Sequence, residues 1–350
     1  MSGDYKTLVG QITINSHIGF TLALAKDVGI IDALVISDTP LTTTDIAKQK
    51  HLKERYVQEI LGCLVSAGFV NVKQHESLNR YYISSEGKEV WQVGGFRSSV
   101  SFINALMEAY NPVKSCVFAD GPYGVNYGAG LMRALDEGKT GSENTIIELI
   151  LGACQGLKER LEEGISVTEL GSGWGRTIGQ LATLFPKSKF IASDYSDELV
   201  DALKAKWGHL ANISFAKLDA CHLPTNSIDS VDWIFVIDVI HDLPHPVKAL
   251  EGIQQMLDKE RGLFTAIEIV GSGCHAQDAK NLGAAQMYSM STFLCLPESF
   301  QNEDSEAHGA CWSKELTVEE FKSAGFCVDV VDLEGSEGRQ ILLICKPVKS

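Results

Sequence analysis

No stretch of this sequence reaches the roughly 18 uncharged apolar residues that a bilayer span needs. Met1 to Gly10 lacks the basic region and apolar run of a secretion signal, so neither export nor a membrane span is expected. C-x-x-C pairs are also missing. The nine cysteines (63, 116, 154, 221, 274, 295, 311, 327 and 345) are scattered and odd in number, which reads as reduced thiols in the cytosol. Positive charge is scarce: 30 Lys and Arg stand against 45 Asp and Glu, a net charge of −15. That balance argues against broad attraction to nucleic acid or to anionic membranes. There is no internal repeat and no low-complexity segment. What is present is 350 residues with the hydrophobic share of a folded globular chain, enough for two ordinary domains or one large domain with an appendage.

Apolar residues from Ile12 to Leu34 fall at mostly helical spacing and break near Gly29, which predicts two helices. Thr42 to Ala47 opens another helix with hydroxyl caps and an early acid, and a further helix is expected from Lys53 to Ala67, ended by Gly68. Phe69 to Val72 and Tyr81 to Ile83 read as short strands around a polar tip, His75 to Arg80. Helix, helix, hairpin is a winged-helix pattern. In a DNA reader the second helix carries basic residues, but here Glu54 and Glu59 offset Lys53 and Arg55. Residues 1–95 are therefore expected to dimerise or to cover a substrate. Residues 96–160 read as a helical linker interrupted by the glycine- and tyrosine-rich loop from Ala119 to Gly128.

From Ser166 onward strands alternate with helices, which implies a doubly wound, mostly parallel sheet over 161–350. The expected strands are Val167 to Leu170, Phe190 to Ser193, Ile213 to Lys217, Val231 to Ile237 and Leu263 to Val270. A closing hairpin of Val328 to Leu333 and Gln340 to Cys345 should put an antiparallel strand at one edge. The first strand runs into Gly171-Ser172-Gly173-Trp174-Gly175-Arg176 and then a helix. Ligands of such sheets bind at the carboxyl ends of strands, where this turn lies, and small residues there let the backbone approach them. The third glycine falls four positions after the first, one short of the dinucleotide fingerprint. Glu169 in the motif's opening would repel a pyrophosphate but suits a ligand carrying an ammonium and a sulfonium. Asp194, at the end of the second strand, can accept from two ribose hydroxyls, and Asp219, after the third, from an adenine amino group.

These residues resemble the three cofactor motifs of class I S-adenosylmethionine-dependent methyltransferases: Val167-Thr168-Glu169-Leu170-Gly171-Ser172-Gly173-Trp174-Gly175, then Asp194 and Asp219. With the winged-helix front half, the chain resembles a family of such enzymes from bacteria and animals, related in layout to plant and hydroxyindole O-methyltransferases. Ile240 to Pro244, Met287 to Ser291, Cys295-Leu296-Pro297 and Ala324-Gly325-Phe326 match as well. The resemblance implies a seven-stranded sheet with its last strand antiparallel. It implies S-adenosyl-L-methionine held by Glu169, Gly171, Ser172, Gly173, Gly175, Asp194, Tyr195, Asp219, Ala220 and Ile237. Asp is also common where Glu169 stands, and the charge is kept. The acceptor is not implied.

Methyl transfer needs acceptor and methyl group held in line, and a hydroxyl acceptor must also lose its proton. His241, after the fourth strand and on the same sheet edge as the glycine turn, is the candidate base, with Asp242 orienting it or acting elsewhere. The pair resembles the His-Asp of plant O-methyltransferases; the competing reading is a histidine used for packing or hydrogen bonding. His245, followed by Pro246 at a helix start, reads as structural. No spacing argues for a metal, and His275 and His308 receive no role. Tyr123, Tyr127, Tyr288, Phe293, Cys295 and Trp312 are candidates for an apolar wall around a flat or aromatic small molecule. The leading expectation is thus methylation of a small molecule, at oxygen, by a homodimer. The alternatives are an S-adenosylmethionine-sensing winged-helix regulator and a methyltransferase acting on protein or RNA.

Overall fold

Caps and glycines, more than apolar spacing, set where the first elements begin and end. The computed structural model describes residues 4–75, 78–92, 96–125, 127, 143–224, 230–333, 336 and 338–348. Parts of the expected hairpin tip (76–77), of the loop and linker (126 and 128–142) and of the closing turn (334, 335 and 337) lie outside the described residues. Those up to Glu108 form one compact unit and those from Ala109 another.

In the first unit, Asp4 accepts from the Lys6 and Thr7 amides and starts α1 (Tyr5–Asp27) well before Ile12. Apolar spacing missed this start because apolar side chains lie around most of the helix: Tyr5, Leu8, Val9, Ile12 and Ile14 are all exposed. Among the described residues α1 is the one helix long and apolar enough, by length and composition alone, to match a membrane span, with a mean hydropathy of 1.2 over an 18-residue window. Gly29, at φ 77°, separates it from α2 (Ile30–Ile36). A reciprocal Thr42–Asp45 capping box opens α3 (Thr43–Lys50), and α4 (Glu54–Ser66) follows. Strands β1 (Asn71–His75) and β2 (Leu78–Tyr82) then pair antiparallel, Asn71 opposite Tyr82. The expected strands sat nearer the apolar residues. A solvent-exposed ribbon needs only its backbone ladder, which the polar residues supply, and Ile83 and Phe69 serve the core instead. Next come α5 (Ser85–Gln92), whose Trp91 meets Phe69 edge-on, and α6 (Phe96–Cys116).

The second unit continues with α7 (Glu143–Ala153) and α8 (Leu157–Glu163), and then enters the βα alternation. Its elements are β3 (Ser166–Leu170), α9 (Arg176–Leu184), β4 (Lys189–Asp194), α10 (Asp197–Trp207), β5 (Ile213–Lys217), β6 (Trp233–Ile237), α11 (Pro246–Met256) and β7 (Leu263–Ile269). After these come α12 (Leu282–Met290), α13 (Leu296–Ser299), α14 (Lys314–Ser323), β8 (Phe326–Asp332) and β9 (Gln340–Pro347). The seven strands lie in the order β5-β4-β3-β6-β7-β9-β8, with β9 antiparallel to both neighbours. The antiparallel strand is therefore one in from the edge, not at it. The reason is burial: Ile341, Leu342 and Leu343 of β9 are fully buried, whereas β8 alternates buried or half-buried with exposed residues and suits an edge.

Side chains of β6 alternate between two core layers. Trp233 and Phe235 face the layer built with α7, α8 and α9, and Ile234 and Val236 face the layer built with α11 and α14. Burial on both faces fixes the register, so every parallel strand delivers its last residues to one edge.

Candidate active site

At that edge β3 ends in Glu169 and Leu170, and the chain turns through Gly171, Gly173 and Gly175, all with positive φ. Gly171 is needed twice over. Its φ is +67°, and a Cβ there would stand 2.7 Å from a Val239 methyl, so the turn lies against the loop after β6. At Gly175 (φ +65°) a Cβ would meet Leu203 at 2.3 Å, which keeps α9 tight on α10. Asp194 binds the same turn. Its Oδ2 accepts from the Gly173 amide at 3.0 Å and its Oδ1 from the Ser196 amide at 3.1 Å. Burial raises its pKa and these amides oppose the rise. A carboxylate has about four acceptor sites, so capacity remains for further donors.

Glu169 is buried. Burial pushes its pKa up to about 8 and the Asp194 charge adds to the rise, while Ser172 and Ile178 pull it down. Its Oε2 has no hydrogen-bond partner among the described residues. A buried, unsatisfied carboxylate beside a glycine turn fits a ligand ammonium, which would meet the orphaned oxygen and restore its charge. The remaining expected contacts lie along the same edge. Tyr195, directly after β4, is about half exposed, and Ile237 ends β6. Asp219 caps a single turn, Ala220–His222, with its Oδ1 accepting from the Cys221 amide at 2.9 Å and its Oδ2 2.8 Å from His222 Nδ1.

After β6, Asp238 takes a left-handed φ of 53° and turns the chain into the short helical turn Ile240–Asp242. His241 is thereby drawn inside, 1% exposed. Its Nδ1 lies 2.7 Å from Glu268 Oε2, and its Nε2 3.2 Å from Asp242 Oδ1. Burial alone would lower the imidazole pKa, but Asp242, Glu268 and a hydrogen bond with Cys295 outweigh it and hold the ring well above 6.5. Glu268 went unnoticed in the sequence. It is fully buried in β7, and its Oε1 also accepts from the Val239 and Ile240 amides at 3.2 and 2.8 Å. The available signal was a single acid inside the otherwise uncharged Leu263–Ile269 strand. Glu298 was missed too. Burial, then the charges of Asp242 and Asp194, push its pKa up to about 8.

The expected apolar wall divides. Tyr127 donates to the Phe293 carbonyl, Phe293 stacks on Tyr110 at 6.3 Å, and Tyr123 meets Phe300 edge-on at 5.2 Å. Cys295 sits against His241 and Asp242. Tyr288 and Trp312 instead line a cavity of about 530 Å³ with His275, Thr292, His308 and Cys311. There Tyr288 donates to Asp278 at 3.0 Å, and Trp312 Nε1 to the Ile269 carbonyl at 2.8 Å. None of Tyr123, Tyr127, Phe293 and Cys295 lines that cavity.

Comparison with known proteins agrees with this architecture. Residues 161–325 match a methyltransferase-domain family and residues 16–90 an Rv2258c-like winged HTH domain. No curated protein matches the chain. Human N-acetylserotonin methyltransferase, solved in complex with SAM, superimposes with a TM-score of 0.66 at 17% identity, covering 99% of each chain. A putative O-methyltransferase from Nostoc punctiforme gives 0.72 at 13% identity over 98% of this chain and 99% of that one. A structure described as PigF with SAH gives 0.69 at 15% identity over 98% and 100%. What these proteins share with the chain is the fold. The chain carries a methyltransferase domain with the class I fold behind an N-terminal winged helix-turn-helix domain, and it is a methyltransferase.

Proposed function

We propose that this chain transfers a methyl group from S-adenosylmethionine to a hydroxyl of a small molecule, with His241 as the general base. The observation that carries the reading is the His241–Glu268 pair at 2.7 Å, on the same sheet edge as the Glu169 glycine turn. Bound S-adenosylmethionine would supply an activated methyl group on a sulfonium. The orphaned Glu169 oxygen suits its ammonium, and the backbone of Gly171, Ser172, Gly173 and Gly175 gives close approach. Asp194, already fixed by two amides, keeps acceptor capacity for ribose hydroxyls, with Tyr195 beside it. Asp219 could accept from the adenine amino group, with Ala220 and Ile237 as further cofactor contacts.

On the acceptor side, Glu268 holds Nδ1 and so sets the ring's orientation and tautomer, which leaves Nε2 as the proton-accepting atom. Asp242 is its present neighbour at 3.2 Å, and a hydroxyl would have to take that place. Tyr123, Tyr127, Phe293 and Cys295 would exclude water and favour a flat apolar acceptor, while Tyr288 and Trp312 line the separate cavity. Methylation at oxygen is supported by the names of solved relatives, which include O-methyltransferases.

Nucleic acid as a partner is opposed by the net charge of −15, and on α4 Arg55 is already ion-paired with Glu59. The nine unpaired cysteines suit a reducing cytosol. The exposed apolar residues of α1, including Tyr5, Ile12 and Phe20, suit a second copy of the chain, and light scattering should return twice the chain mass. A monomer at micromolar concentration would dismiss that assignment.

The decisive assay is incubation of the purified chain with cell extract and label-bearing S-adenosylmethionine, followed by mass spectrometry of the products. The expected result is a labelled small molecule with the methyl on oxygen. Label confined to protein or RNA would overturn the acceptor class.

A further inference from the structure

Outside the His241 pair, the loop before α14 and α14 itself bring together three side chains to which the reaction gives no task. Glu320 Oε1 lies 2.7 Å from His308 Nε2, and Glu306 Oε2 lies 3.7 Å from the same nitrogen. The three ligand atoms all fall within 4.8 Å of one another. Glu320 is 8% exposed, and its Oε2 is buried with no hydrogen-bond partner among the described residues. His308 Nε2 is buried as well, and its close approach to Glu320 lacks hydrogen-bond geometry, so the nitrogen is not spent on that contact. Among the described residues no Lys or Arg pairs with either carboxylate. Two acids thus share one imidazole, and burial, then the Glu320 charge, raise the pKa of Glu306.

The backbone holds the imidazole in place. Ala307 (φ 52°) and Gly309 (φ 62°) flank His308 in left-handed conformations, and the ring stacks on Trp312 at 5.0 Å. The Ser291 hydroxyl anchors the following turn by accepting from the Ala310 amide at 3.0 Å. Nitrogen and carboxylate ligands around zinc-type ions sit at about 2.0–2.2 Å, which places neighbouring ligand atoms about 3.4 Å apart in a tetrahedron. The separations of 2.7 and 3.7 Å straddle that value.

We propose that Glu306, His308 and Glu320 bind one divalent transition-metal ion of the zinc type, which ties the loop before Trp312 to α14. One imidazole and two carboxylates leave a fourth position for water, and such a donor set suits Zn²⁺, Co²⁺ or Mn²⁺ better than Mg²⁺. The bound ion would fix one wall of the cavity that His308, Cys311 and Trp312 line.

The test uses the full chain stripped with a chelator and titrated with Zn²⁺ against a chromogenic competitor, and with Co²⁺ by absorption. One equivalent should bind. His308→Ala should abolish that equivalent, and Glu306→Gln and Glu320→Gln should each weaken it at least about tenfold. The cobalt spectrum should lack a thiolate charge-transfer band, which separates this site from an ion held beside His241 and Cys295. Should His308→Ala fail to fold, the two isosteric glutamine variants decide. Absence of stoichiometric binding, a thiolate band, or wild-type affinity in all folded variants would show the cluster to be an ion pair alone.

Discussion

Replacing His241 by Ala should lower turnover about 100-fold or more while changing S-adenosylmethionine affinity by less than about threefold. His241 is 1% exposed and flanked by two carboxylates, Glu268 on Nδ1 and Asp242 near Nε2. With its pKa held well above 6.5, the ring is an imidazolium at neutral pH and cannot take a proton. Turnover should therefore climb with pH and level off only above that raised value. Asp242→Asn removes one negative charge while keeping the shape, so it should move the acidic limb of the kcat profile down by about one unit or more. Glu268→Gln should move it the same way. A residue used only for packing would not shift that limb. A flat profile in the wild type, or near-normal turnover in His241→Ala, would leave positioning alone as the source of rate.

The parts of the fold legible in sequence are those written in short-range pattern. The βα alternation, the glycine turn and the strand-end acids Asp194 and Asp219 were all visible, because each parallel strand must be buried on both faces and must end at the ligand edge. The position of β9 was not. Nothing local states which arm of the closing hairpin enters the sheet; that depends on how Ile341 to Leu343 compare with β8 as a neighbour for β7. The winged hairpin slipped for a related reason, since an exposed two-stranded ribbon carries no apolar alternation to mark its register. In the site, Asp242 was visible as a sequence neighbour of His241. Glu268 was hidden 27 residues away inside a strand that otherwise reads as core. Glu306, His308 and Glu320 escaped because metal-site spacing rules describe ligands on one helix or one turn, whereas here a loop and a helix converge.

Cofactor affinity should rise with pH, by about 10- to 30-fold between pH 5.5 and 7. Glu169 titrates near 8 in the free protein because it is buried, and against an ordinary value of 4.5 the folded chain holds that proton tightly. An ammonium brought to its unpaired Oε2 would stabilise the carboxylate and expel the proton. Binding and proton release are then linked, with a limiting slope of tenfold per pH unit. The window stops at pH 7 because the ligand's own amino group is of the α-amino kind, which titrates at about 7.7–8.0. A carboxyl whose folded pKa is raised favours the folded state at low pH, so the free protein should lose stability as pH climbs from about 4.5 towards about 8. The melting temperature of the complex should fall less, and the gap between free and bound protein should widen. Calorimetry in two buffers of different ionisation enthalpy reads the released proton directly. Glu169→Gln should bind more weakly and with at least about threefold less pH dependence. If that variant kept the wild-type slope, the proton would belong to another carboxyl, with Glu298, also pushed to about 8, the next to replace.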